Sequence, residues 1–348
     1  MSTLYEFELG KAGKILVEEL FKLKHGEEFV ITFDTESDIR VVEATARATF
    51  AAGAKPVVIW LASPLGVGKA ADPMLPTKTL TAALKQADAW VEFNNEWLLY
   101  STPWDIAIEE NKKLRYLCLV GMDTDMMIRC VGRVDFPTLV EFQSRVVEMT
   151  KKAKRMRVAT PAGTDVTFNN VPRRPVTLES GYADTPGPHF LSGQIGWAPE
   201  FESINGVIVF DGSLVPPVGL LKEPVKLYVK NGAVEKVEGG KEAVRYEAWL
   251  KSFNDPNMLR LAHICYGFHP GAKLTGNILE DERVWGGTEW GLGNVGPMYL
   301  PPNGKKAASH TDGICLNSSV WLDDVQLTDK GKVVHPELTE LAKKLGKT

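Results

Sequence analysis

The sequence predicts an α/β protein. A doubly wound, mostly parallel sheet domain over residues 1–153 is followed by a mixed α+β, strand-rich domain over residues 154–348. Three observations predict this. Apolar runs alternate with helical stretches through the first 150 residues, the pattern of a parallel sheet covered on both faces. From Met156 the period changes to short alternating strands punctuated by turn residues. The length of 348 residues also exceeds what a single core usually serves.

The elements follow in order. A helical pattern near residues 8–24 leads into the apolar run EEFVITFDT, then an Ala-rich helical stretch from Asp38 to Ala54, then KPVVIWLA. Further strands are expected at WVEFNN and RYLCLVG, with EWLLYSTPWDIAIEEN supplying helix between them. A helical run from Asp135 to Ala153 closes this domain, and its KKAKR tail reads as a solvated helix end. RVATPAGTDVTFNN then reads as a hairpin turning near Ala162-Gly163. GVIVFDGSLVP and KLYVKNGAVEKV are strand-rich, and Asn231-Gly232 between alternating apolar residues is a strong hairpin signal. A helix is expected over Glu242 to Phe253. From Asp255-Pro256 to Pro302 the abundance of Gly and Pro suggests long ordered loops around a site in place of regular layers.

Composition excludes several function classes. Apolar residues make up 44% and charged residues 24%, an ordinary globular balance, and the net charge of −4 is spread along the chain. No sequence-wide field attracts a polyanion, so nucleic acid is not an expected partner. No apolar run reaches the roughly 18 residues that span a bilayer, and MSTLYEFELGKAGK lacks the basic-then-apolar pattern of a secretory signal. A cytoplasmic protein is expected. Cys118, Cys130, Cys265 and Cys315 form no CxxC pair and read as reduced, buried thiols, for which packing is the expected role. GVGK at Gly66 to Lys69 lacks the spacing of a phosphate-binding loop. Gly181 and Gly187 are expected to set turn geometry, and His269 and His335, each before a proline, to lie in surface loops.

The triplet His310-Thr311-Asp312 carries chemistry. In an extended segment, side chains two apart point the same way, so one cation can bind both. Adding the distant His263 gives two imidazoles and one carboxylate, the set that leaves coordination positions open at non-haem ferrous iron. Spacing alone leaves the alternative open that these are hydrogen-bonded histidines in turns.

Longer strings extend this. ESGYADTPGPHFLSG, then WAPEFESINGVIVFDGS, FNDPNMLRLAHICYGFHPGA, SHTD and a terminal VWLDD together resemble the 2,5-dihydroxypyridine 5,6-dioxygenase family. That family shares a superfamily with the leucyl aminopeptidases called aminopeptidase T. The resemblance covers residues 155–335 well and the first 150 only in general layout. It implies that His263 is the first iron ligand and that His310 and Asp312 are the other two. In the aminopeptidase branch a glutamate aligns with His263 and a further glutamate ligand aligns with Gln194. An amide is a poor exchange for a bridging carboxylate, so the resemblance implies one metal and not two.

The same resemblance places Glu179 and His189 in the substrate pocket. Two departures stand out. The family's base histidine, in a string resembling LLHSPE, falls at Tyr100 within Leu98-Leu99-Tyr100-Ser101-Thr102-Pro103, and an unperturbed tyrosine titrates near 10. In GGTEWGLG, Glu289 stands where an aminopeptidase string has a metal histidine; it is expected among the substrate-binding residues, with its role open between a partner of a ligand, a fourth ligand and a base.

The expectation is therefore a Fe2+ enzyme that cleaves a hydroxylated pyridine or related ring with O2, extradiol-type. His189 is the first candidate for handling protons. Glu179 would orient it or bind a ring NH, Tyr100 stands at the base position, and Tyr182 and Trp197 would wall the ring. The rival is a two-metal hydrolase of the aminopeptidase T type; a metal-free binding protein that kept the fold is a third class. A small aromatic substrate and O2 are the expected partners, and a homo-oligomer is the default for such folds.

Overall fold

The computed structural model describes residues 3–347, with side chains from Tyr5 onward. The chain divides into two compact units, residues 1–134 with 179–192 and residues 135–178 with 193–348. The expected single boundary at residue 153 thus differs in two places. Residues 1 and 2 of the amino-terminal segment in which no secretory signal was expected lie outside the described residues.

In the first unit a five-stranded sheet runs in the order Lys55–Leu61, Glu28–Asp34, Ala89–Glu92, Arg115–Cys118, Gly187–Phe190, with every neighbouring pair parallel. The first four strands are the apolar runs expected from sequence. The helix after Glu28–Asp34 begins where the Asp38 carboxylate accepts from the Arg40 amide and runs Ile39–Ala51. The fifth strand arrives from beyond residue 178, which is why a linear boundary could not capture it. Residues 179–192 add an edge strand to an existing sheet, a long-range pairing that local periodicity does not report.

The helix Phe136–Lys152 goes to the second unit for a packing reason. Phe142 sets its ring 5.1 Å from both Phe268 and Trp285, and the Gln143 amide donates to the Gln194 carbonyl at 3.2 Å.

The second unit holds two antiparallel sheets. An eight-stranded sheet contains the expected hairpin Arg155–Ala159 with Asp165–Asn169, and the hairpin Val225–Lys230 with Ala233–Glu238, whose Asn231 and Gly232 take φ of 49° and 70°. Those positive values at both central residues explain why Asn-Gly stands there. A seven-stranded sheet runs Gly219–Leu220, Ser213–Val215, Lys305–Cys315, Gly287–Val295, Leu261–Gly267, Gln194–Trp197, Val176–Leu178. Two of its strands, Leu261–Gly267 and Gly287–Val295, come from the Gly/Pro-rich stretch expected to be loops, and both are almost wholly buried. The expectation of loops there is corrected. The glycines serve close approach between strands, as described below, and do not break the sheet.

The two sheets of this unit pack through one face each. Trp290 meets Phe168 edge-to-face at 5.6 Å, and a Cβ at Gly313 would strike the Phe210 ring. The other face of the seven-stranded sheet carries the polar cluster. Among the described residues no helix is long and apolar enough to cross a membrane.

Candidate metal centre

Strand pairing decides which side chains meet. His263 lies opposite Gly291, and Gly291 lies opposite Asp312, so a single row across three strands reads His263, Gly291, Asp312. His310, two residues from Asp312 on one extended strand of eleven residues, points to the same face. Cys265 lies opposite Glu289 in the next row, and Gln194 pairs with Gly267 on the same face. Sheet geometry thus brings His263, Cys265, Glu289, His310 and Asp312 together from three strands. The HxD triplet is extended, as its spacing requires.

The distances are short. His310 Nε2 lies 2.9 Å from Asp312 Oδ1, His263 Nε2 lies 3.5 Å from the same oxygen, and the two imidazoles stack at 5.1 Å between centroids. One donor atom from each of His263, His310 and Asp312 falls within 4.8 Å of the others. The same spread holds for His263, Cys265 and Glu289. Glu289 Oε1 approaches His263 Nε2 to 2.5 Å, so this carboxylate belongs to the centre itself.

Space for the imidazole is made by an absent side chain. A Cβ at Gly291 would stand 2.4 Å from His263 Cε1 and 2.6 Å from Nδ1, closer than real Cβ contacts. Gly196 does the same for Cys265 and Tyr299, where a Cβ would lie 2.7 Å from both Sγ and the phenol oxygen. Tyr299, which sequence reasoning missed, sets its ring 4.9 Å from that of His263. No local sequence signal marks it; only the close approach to His263 does.

A second layer fixes Glu289. Gln194 donates to Glu289 Oε2 at 2.5 Å and to Glu282 at 3.1 Å, while Arg283 donates to Gln194 Oε1 at 3.3 Å and to the Leu279 carbonyl at 2.7 Å. Arg283, Gln194 and Glu289 are all buried.

The electrostatics are those of a cation site. Burial, and behind it the neighbouring Asp312, holds the Glu289 carboxyl above its ordinary range despite the pull of His263. Burial works against the Asp312 charge, but His310, with His263 and Glu289 beside it, holds Asp312 below its ordinary range. For His310, burial disfavours the proton and Asp312 restores it, with a net rise. Two carboxylates and two imidazoles crowded on one largely enclosed sheet face are relieved by a positive ion. Two nitrogens and one carboxylate oxygen fit a divalent first-row metal with positions left open.

Trp197 lies on the other side of the sheet. Trp197 pairs with Ile264, one residue out of phase with His263 and Cys265, so it projects from the opposite face of the sheet. It is 2% exposed, donates through Nε1 to Asn170 and packs 4.7 Å from Tyr266. A ring-walling role for Trp197 is corrected: strand alternation turns it into the core. Tyr100, Glu179, Tyr182 and His189 belong to the first unit. Tyr100 is 53% exposed, with φ of 67° and an edge contact to Trp104. Lys22 pairs with Asp184 at 2.6 Å and lies 5.4 Å over the Tyr182 ring. His189 sits on the edge strand, and its Nε2–H donates to the Thr185 carbonyl at 2.7 Å. Glu179 is half-buried. His269, expected at the surface, is fully buried, with Nδ1 accepting from the Gly271 amide. His335 caps the final helix, Pro336–Lys344, accepting from the Glu337 amide.

Comparison with known proteins places this geometry. The sequence pattern of the NicX family, 2,5-dihydroxypyridine 5,6-dioxygenase, matches residues 16–335. The chain belongs to that family. A curated relative, the 2,5-dihydroxypyridine 5,6-dioxygenase of Pseudomonas putida strain KT2440, is 30% identical over 201 residues, which span 54% of this chain and 57% of that enzyme. The solved structure of 2,5-dihydroxypyridine dioxygenase from Pseudomonas putida KT2440 superposes with a TM-score of 0.76 at 22% identity, covering 96% of this chain and 99% of the other. Wild-type AmpT from Thermus thermophilus superposes with a TM-score of 0.69 at 14% identity, covering 95% and 100%. These likenesses bear out the α/β fold with its parallel sheet and large antiparallel sheets.

Proposed function

We propose that this protein is a ferrous-iron dioxygenase that opens the ring of a hydroxylated pyridine, 2,5-dihydroxypyridine or a near analogue, extradiol-type. The observation that carries the reading is the convergence of His263, His310 and Asp312 on one sheet face in a member of this family. These three residues would hold the iron, which when bound supplies a centre for the substrate's adjacent polar atoms and for O2.

The charge count supports a chelating substrate. With the proton shared by His263 and Glu289 left on Glu289, two neutral imidazoles and Asp312 leave a divalent ion one uncompensated positive charge, which a singly deprotonated hydroxypyridine neutralises. The chain's own tasks are to orient that ring and take its proton. Glu289, braced by Gln194, shares the proton on His263 Nε2 and would take that proton over when the nitrogen binds an ion. His189 with Glu179, and Tyr100 at the family's base position, are the proposed proton-handling groups, and Tyr182 a proposed ring contact. Gln194 offers an amide where a second metal would need a carboxylate, which speaks against a two-metal hydrolase.

The test is direct. Protein purified without oxygen and given ferrous iron should consume O2 with 2,5-dihydroxypyridine, and His263→Ala should abolish both iron binding and uptake. No uptake across a panel of dihydroxylated pyridines and catechols would overturn the proposal.

A further inference from the structure

We propose a second metal subsite on the same sheet face, built from His263, Cys265 and Glu289, that takes a thiophilic divalent cation such as zinc in competition with iron. The three donors are a nitrogen, a sulfur and a carboxylate oxygen, all within 4.8 Å of one another and all buried. Strand pairing sets them: Cys265 faces Glu289 across one row, and His263 follows two residues away on the same strand. The Cys265 sulfur is not sealed into the opposite core; it shares the metal face with Tyr299, whose hydroxyl lies 3.8 Å away.

The chemistry separates this set from the iron triad. Thiolate, imidazole and carboxylate is a zinc-type donor set, whereas two imidazoles and a carboxylate is the open ferrous set. Zinc also outranks ferrous iron on nitrogen and sulfur ligands generally. Binding would displace the thiol proton and the proton now held between His263 and Glu289, both released to solvent. A divalent ion with one thiolate and one carboxylate is then neutral, the least costly charge state for a buried position.

His263 is common to both sets, and one ring nitrogen binds one ion. Zinc in the sulfur subsite therefore takes away a ligand of the iron site. The consequence is reversible inactivation by zinc that depends on a residue outside the iron triad. This inference rests on the triad reading only through the shared His263.

The experiment measures metal affinities by competition with a chromophoric chelator, together with the absorption of the cobalt-loaded protein. Wild type, Cys265→Ser, Cys265→Ala and His310→Ala are compared. Cobalt-loaded His310→Ala should show thiolate-to-metal charge transfer and keep zinc affinity. Both Cys265 variants should lose that band and bind zinc on the order of tenfold more weakly, with ferrous affinity unchanged. Zinc affinity unaltered in both Cys265 variants, or no thiolate band in wild type and His310→Ala, overturns the proposal. If His310→Ala leaves ferrous affinity unchanged, the triad reading fails, while the thiolate band still decides the sulfur subsite.

Discussion

Two buried carboxylate clusters in this protein have opposite characters. In the seven-stranded sheet, Asp312 and Glu289 lie against two imidazoles, and His310 keeps the Asp312 charge in place. In the parallel sheet, Glu92 is wholly buried against the Tyr116 hydroxyl and the Leu98 amide. There burial wins, and it pushes the Glu92 carboxyl up to about 7 against the pull of those hydrogen bonds, with Asp34 adding to the rise. The difference teaches what a buried acid is for. Imidazoles in contact keep Asp312 charged beside a Glu289 that burial pushes up; at Glu92 burial outweighs a phenol and a backbone amide, and the acid braces the turn at Leu98.

The largest expected effect breaks the first cluster sterically. Gly291→Ala drives a methyl into the His263 ring, so metal affinity should fall by more than the 10–100-fold typical of lost supporting contacts. Overpacking should cost about 1–3 kcal/mol in chemical denaturation. Wild-type metal affinity in this variant would mean that His263 is not held where the structure puts it. Next, Glu289→Gln should weaken iron binding or turnover by about 10–100-fold, read by chelator competition and oxygen uptake, with the fold intact by circular dichroism.

The second cluster is sharpened by pH. A carboxyl that titrates near 7 when folded and at its ordinary 4.5 when unfolded is protonated only in the native state between those values. Its contribution is complete below pH 4.5 and is lost as pH rises toward 7, by about 3 kcal/mol in all. Glu92→Gln should flatten the fall in unfolding free energy over that window, measured by urea titration at successive pH values. A slope equal to that of the wild type would remove Glu92 from the account. The smallest effect is expected for Trp197→Phe, which should cost about 1 kcal/mol for the hydrogen bond to Asn170 and leave the substrate KM unchanged. A raised KM would return Trp197 to the pocket.

Much of this was legible in the sequence, and the failures have physical causes. The Asn231-Gly232 turn, the first four parallel strands and the extended HxD triplet follow from backbone preference and period-two alternation, which are local. The strands Leu261–Gly267 and Gly287–Val295 were hidden because Gly291 and Gly293 look like breakers, whereas Gly291 is small so that an imidazole can lie over it. Trp197 was misplaced although Gln194 already fixed the parity: an odd offset along a strand reverses the face. The return of residues 179–192 to the first unit and the burial of His269 are set by contacts distant in sequence, which no window of neighbouring residues contains.

The middle strand of the row His263, Gly291, Asp312 contributes no donor at its crossing point, only a vacancy one residue wide between two outer strands that carry the ligands. Coordination volume is thereby governed by a position that binds nothing. Residue 291 sets the room for the His263 ring: alanine, serine and valine there would crowd that imidazole in increasing order, although the position itself supplies no ligand.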